Sequence, residues 1–266
     1  MLGALSLAAL TALLSVGLPA AQEPETPSVS VDLRPRLEGW GLEARRQGNR
    51  NTCSVFVVTE ALEYALAAKE GRGRHLSVEY LNWAANQALH GAEDGGFFSD
   101  LWKGFEAHRI CIEEDMPYRQ RFEPRKGPSE NAQTGAKALE PLLKTLRFHW
   151  IKEWDPKKGL SKGQLTEVRR TLARGWPVCG GFLWPKQEAW DNGILRTVAR
   201  EDVRDGHSVL LVGYRDDPRE PGGGVFLIRN TAGPGRDGLL TYEYLMTYMN
   251  DAAWIGSGPE QKLLRP

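Results

Sequence analysis

The apolar positions of this chain change rhythm several times, and each rhythm predicts a different element. From Leu2 to Leu18 the residues are apolar or small throughout, and Pro19, Ala20, Ala21 and the polar, Pro-rich stretch Gln22 to Pro27 follow. That form is expected of a signal peptide over residues 1–21, cut near Ala20 or Ala21, with 22–30 as a short linker. An uncleaved anchor is the alternative, because no Lys or Arg precedes the run, although the run sits at the short edge for a membrane span. Further on, Val55, Val58, Leu62 and Ala65 recur at steps of three and four, with Asn51 and Thr52 before them and Gly71 after. The spacing predicts an amphipathic helix that begins at Cys53. Helices are also expected near Leu139 to Leu146 and Leu165 to Arg174, and a strand about Phe148 to Trp150. Short continuous apolar runs at Pro177 to Leu183, Ser208 to Tyr214 and Gly224 to Arg229 read as buried strands. The polar stretch Arg119 to Lys137, with Pro124, Gly127 and Pro128, reads as a surface connection. The whole predicts an α+β domain over 31–266: a helical lobe at about 47–118, and a β-rich lobe at about 138–256 plus an N-terminal strand.

Charge narrows the function. The 266 residues carry 34 basic and 34 acidic side chains. A balanced chain offers no clustered basic surface for a polyanion, so no nucleic-acid partner is expected and the function must reside in a site. No His or Cys pair stands at ligand spacing on one element, so no metal and no cofactor are expected.

The cysteines number three, an odd count for a chain expected to be exported. Cys111 and Cys179 have apolar neighbours, typical of inert buried thiols, although the two could also pair. Cys53 is flanked by Asn49, Arg50, Asn51, Thr52 and Ser54. In the first turn of a helix it would meet unsatisfied backbone N–H groups and the positive end of the helix dipole, which favour a thiolate. The plainer alternative is a small residue tucked under a helix start.

A thiolate nucleophile needs a base. His75 lies in a basic loop, His90 at a helix end, His108 on a helix and His149 among aromatics, whereas His207 opens the run Ser208 to Tyr214. A histidine at the mouth of a buried strand is held rigidly while its ring faces a cleft. The next strand delivers Asn230, whose side-chain oxygen could accept from the imidazole and fix its tautomer.

Taken together, these stretches resemble the papain-like cysteine peptidases, in the style of divergent bacterial members. Gln47 to Phe56 is similar to the nucleophile segment, His207 to Tyr214 to the histidine strand, and Ile228 to Gly233 with Gly238 to Leu240 to the asparagine strand and the turn after it. Asp94-Gly95-Gly96-Phe97 resembles the substrate loop, and Ile112 to Tyr118 the region after it. The matches keep the family order over roughly 31–256. The resemblance implies a two-lobe fold with a cleft between a helical lobe and a β-barrel-like lobe. It implies Cys53, His207 and Asn230 as the catalytic triad, Gln47 in the oxyanion hole, Gly95 and Gly96 as substrate-binding backbone, a peptide or protein as substrate, and a secreted or periplasmic enzyme. The stretch before Gln47 is expected to be too short for an inhibitory helical propeptide, with Val31 to Trp40 as the N-terminal strand.

Three departures matter. Arg50 stands where the family has a disulfide cysteine, Ser54 where a Trp follows the nucleophile, and Ala232 where a Trp shields the His–Asn bond from water. The losses at Ser54 and Ala232 favour a second reading, a catalytically weak or silent homologue that keeps the cleft as a peptide-binding module. A third, another Cys–His acyl-transfer enzyme such as an amidase or transglutaminase, fits less well because those use Asp or another chain order.

Overall fold

The computed structural model describes residues 29–257. The expected signal peptide, 1–21, and all but the last two residues of the linker lie outside them. Seven helices are described: α1 Arg34–Gly39, α2 Cys53–Glu70, α3 Val78–Leu89, α4 Phe98–His108, α5 Glu130–Leu143, α6 Lys162–Ala173 and α7 Tyr242–Tyr248. The strands are β1 Ser30–Asp32, β2 Arg147–Lys152, β3 Val178–Pro185, β4 Trp190–Asp191, β5 Ile194–Leu195, β6 Val203–Asp216, β7 Gly224–Arg229, β8 Gly238–Thr241 and β9 Met249–Gly256. They form one sheet in the order β2-β9-β3-β6-β7-β8-β5-β4, with β1 added alongside β6.

The central helix departs from the expected amphipathic pattern. Every residue of α2 from Cys53 to Ala67 is buried, because α3 and α4 pack on one side of it and β3, β6 and β9 on the other. A helix between two layers has no solvent face, so its polar positions must find partners inside. Thr59 donates to the Val55 carbonyl at 2.7 Å. Glu63 accepts from Arg45 at 2.7 Å and from the Leu76 N–H at 2.7 Å. Gly71 closes the helix in the left-handed conformation, φ +71°, where a side chain would be strained.

Glu60 has no such partners. Both its carboxylate oxygens are buried without a hydrogen bond, and that burial pushes its pKa up to about 7. An acid whose folded pKa lies above its unfolded value binds more protons when folded. Stability therefore falls as pH rises from about 4.5 to about 7, and the full penalty, roughly 3 kcal/mol at ~1.4 kcal/mol per pH unit, holds above that window. Glu60→Gln is expected to flatten this slope and to stabilise the protein at pH 8, as read by urea unfolding across that range.

Three boundaries move from expectation. The N-terminal strand stops at Asp32, because Pro35 sits in the first turn of α1 and presets a helical φ. Helix α5 starts at Glu130, with Ser129 accepting from the Ala132 N–H, so the polar connection is shorter than its composition implies. Strand β6 already runs from Val203, which places His207 inside it, opposite Phe182 of β3.

Candidate active site

The register of the sheet brings the second-lobe residues together. In the β6–β7 pair Leu210 faces Arg229, so Asn230, the residue after β7, comes level with the start of the buried part of β6. The His207 ring nitrogen Nε2 and the Asn230 Oδ1 are 3.1 Å apart. With Oδ1 as acceptor, Nε2 carries the proton and Nδ1 is left for another partner. Cys53 begins α2, and Cys53 and His207 line the same cavity of about 320 Å³ together with Gly96, Phe97, Trp154, Phe182 and Asp251. The exposed rings of Phe97 and Trp154 meet edge to face at 5.3 Å.

Gln47 lies on the other side of His207. It lines a second cavity, of about 440 Å³, with Arg46, Glu188, His207, Asn230 and Ala232. Its Nε2 donates to the Arg50 carbonyl at 2.8 Å, and its Oε1 accepts from the Thr231 hydroxyl. The backbone adds a bond from the Gln47 N–H to the Thr231 carbonyl at 2.9 Å. The side-chain amide is thus fixed at both ends, with one N–H to spare.

Arg50, noted in the sequence only as a missing cysteine, is a hub. Its guanidinium donates to Asp94 at 2.8 Å, to Glu79 at 2.5 Å and to the Arg119 carbonyl at 2.8 Å, and its centre lies 4.6 Å from the Tyr118 ring centroid. Asp94 begins the loop that carries Gly95 and Gly96. Asn82 braces that loop by accepting from the Gly95 N–H at 3.0 Å and donating to Asp94 at 3.3 Å. Gly95 has φ +105°, and a Cβ on it would stand 2.1 Å from the Asn51 carbonyl oxygen, so only glycine lets this loop close on the nucleophile segment. The family's disulfide position is therefore spanned by an ionic cluster that joins the same two segments.

An indole reaches His207 from another strand. Trp184 of β3, fully buried, sets its ring edge-on to His207 at 4.5 Å between centroids. Its Nε1 donates to Glu188 at 2.8 Å. Sequence spacing holds no sign of this, because Trp184 and His207 meet only through the pairing of β3 with β6.

Burial disfavours each charge of the Cys53–His207 pair taken singly. It pushes the Cys53 thiol up, against hydrogen bonds from Ser208 and Ser54, so the helix-start setting does not by itself lower that pKa as expected. It pulls His207 down to about 4, against the Asn230 bond and the Glu188 charge. Moving the proton from thiol to ring creates both charges at once, and each then compensates the other.

The remaining thiols are inert. All three cysteines are free, so Cys111 and Cys179 do not pair, and burial pushes Cys111 up to about 12 and Cys179 higher still. Of the other histidines, His75 meets Glu63 at 3.4 Å, His90 caps α3, His108 packs on Trp83 and His149 stacks on Trp254. No group of three or more His, Cys, Asp or Glu among the described residues is arranged to hold a metal ion.

Known proteins share this fold. No match was found among curated proteins. Among solved structures, the chain is similar to xylellain, a cysteine protease from Xylella fastidiosa, with TM-score 0.67, 20% identity and 88% of each chain covered. It is also similar to digestive procathepsin L 3 of Tenebrio molitor, at TM-score 0.60 and 19% identity over 91% of this chain and 74% of that one. The cysteine protease and lectin-like domains of Cwp84, a surface layer associated protein of Clostridium difficile, align at TM-score 0.60 and 18% identity, over 89% and 54%. At such identities these likenesses speak to the fold. The profile of the papain family cysteine proteases matches residues 28–241, which takes in the start of α2, the Gly95–Gly96 loop, β6 and β7. With most of the chain under that profile and the two-lobe fold in place, the protein belongs to the papain family of cysteine proteases.

Proposed function

We propose that the protein is an exported peptidase that hydrolyses peptide bonds through Cys53, His207 and Asn230 and a thioester acyl-enzyme. The observation that carries this reading is the 3.1 Å bond between His207 Nε2 and Asn230 Oδ1, made by a histidine that lines one cavity with a cysteine at a helix start. In the proposed cycle the Cys53 thiol gives its proton to His207 Nδ1, and the sulfur attacks the substrate carbonyl carbon. The oxyanion accepts from the Cys53 N–H and from the spare N–H of Gln47. His207 then protonates the leaving amine, and water, deprotonated by the same ring, cleaves the thioester to release the acid and restore the thiol. Asn230 holds the ring tautomer. Gly95 and Gly96 bind the extended substrate backbone on the acyl side.

The binding-module reading rests on the Trp residues absent at Ser54 and Ala232. Trp184 packed against the His207 ring holds the imidazole in place without them and favours the catalytic reading. Export is supported by the apolar N-terminal run that ends in Pro19-Ala20-Ala21. An electrophilic epoxide that alkylates papain-like enzymes tests the core of the proposal. Stoichiometric labelling of the wild type is expected, with none in Cys53→Ala or His207→Ala, as read by intact mass. A folded wild type that takes no label overturns it.

A further inference from the structure

The cavity beyond His207 carries a charge that belongs to none of the three proposed triad residues. Glu188 lies in the segment between β3 and β4, and both its oxygens are engaged by neutral donors: the Trp184 Nε1 at 2.8 Å and the Trp190 Nε1 at 2.9 Å. Two indoles fix the carboxylate without cancelling its charge. Among the described residues no basic side chain stands at ion-pair distance from it. Each oxygen keeps a further lone pair, since a carboxylate has about four acceptor sites. Glu188 shares the 440 Å³ cavity with His207, Gln47 and Asn230, and Trp184 links it to the imidazole, meeting that ring in a T-shaped contact at 4.5 Å between centroids and donating its N–H to Glu188. Small residues at Gly48 and Ala232 keep that cavity open.

The side of the cleft follows from the chemistry. Gly96 and Cys53 line the other cavity, where the acyl half of a substrate would lie, whereas this one adjoins the proton donor and the oxyanion donor without touching the glycine loop. The group that takes the proton from His207 leaves through it. We infer that Glu188 is a specificity-determining residue that selects substrates with a basic side chain, arginine or lysine, on the residue just after the scissile bond. The inference rests on the peptidase reading for the direction of the bound chain. Arg46 also lines this cavity, with its Nε donating to the Ala232 carbonyl at 3.2 Å, and it makes no ion pair with Glu188.

The test uses two fluorogenic peptides that differ only in arginine or citrulline at that residue, a pair of equal shape and unequal charge. Wild type is expected to favour arginine in kcat/KM by roughly two- to fivefold at low salt, the range of an exposed ion pair, and less as NaCl is added. The ratio should fall to about one in Glu188→Gln and below one in Glu188→Lys. Because it compares two substrates on one protein, loss of an indole bond in the variants cancels. Equal rates for the two peptides in the wild type, or a preference that survives in Glu188→Gln, overturn the inference. If neither peptide is cut, the peptidase reading fails separately. Fluorescence-polarisation affinities of the two peptides for Cys53→Ala and for Cys53→Ala with Glu188→Gln then decide the Glu188 claim by the same ratio.

Discussion

Cys53→Ala is expected to lower kcat for peptide hydrolysis by roughly 10⁴- to 10⁶-fold, and His207→Ala by nearly as much, with the double variant no worse than the more damaged single one. Nucleophile and base act as one unit in the proposed cycle, so once either is lost the other has nothing left to do. Gln47→Ala should behave differently. It removes one of two oxyanion donors and leaves attack intact, so a loss of about 10²- to 10³-fold in kcat is expected, with KM nearly unchanged. Steady-state kinetics on one peptide substrate for the four variants check the pattern. Losses that multiply in the double variant would mean that the two side chains do not work together.

Arg50→Ala carries the largest expected effect on stability. Arg50 and Glu79 are each 4% exposed in their side chains, and the change leaves Glu79 buried without its closest partner. Removing one member of a buried pair costs about 3–5 kcal/mol, because the other charge stays desolvated. Thermal unfolding should shift down by many degrees. Arg50→Lys is expected to recover only part, since an ammonium cannot reach Asp94, Glu79 and the Arg119 carbonyl at once as a planar fork does. Glu79→Gln in the Arg50→Ala background should restore some stability by removing the stranded charge. A double variant as unstable as Arg50→Ala alone would show that the packing of the guanidinium on Tyr118 matters more than its charge.

How much the sequence discloses depends on the range of the physics. Residues whose partners lie close along the chain are legible: Gly71 ends α2 and Asn230 follows a short apolar strand. The chemistry proposed for Cys53, His207 and Asn230 draws on residue type and on family order. What is hidden needs pairing between distant segments. Trp184 reaches His207 through strand register, and Arg50 reads as a deficit until Glu79, Asp94 and Arg119 surround it. Composition misleads where a local signal is outweighed. A polar stretch conceals the start of α5 at Ser129, and a three-four spacing suggests one apolar face for α2 when the layers around it bury all of them.

The cluster around Arg50 also decides how the protein meets its surroundings. A sulfur clasp would need an oxidant to form and would open to a reductant. A guanidinium held by two carboxylates is completed by folding itself, and neither reagent alters it. Cys111 and Cys179 are sealed in the interior. Of the three thiols only Cys53 lines the cleft cavity, so a reductant that would open a sulfur clasp leaves this cluster intact and acts, in the proposed cycle, on the proposed nucleophile alone.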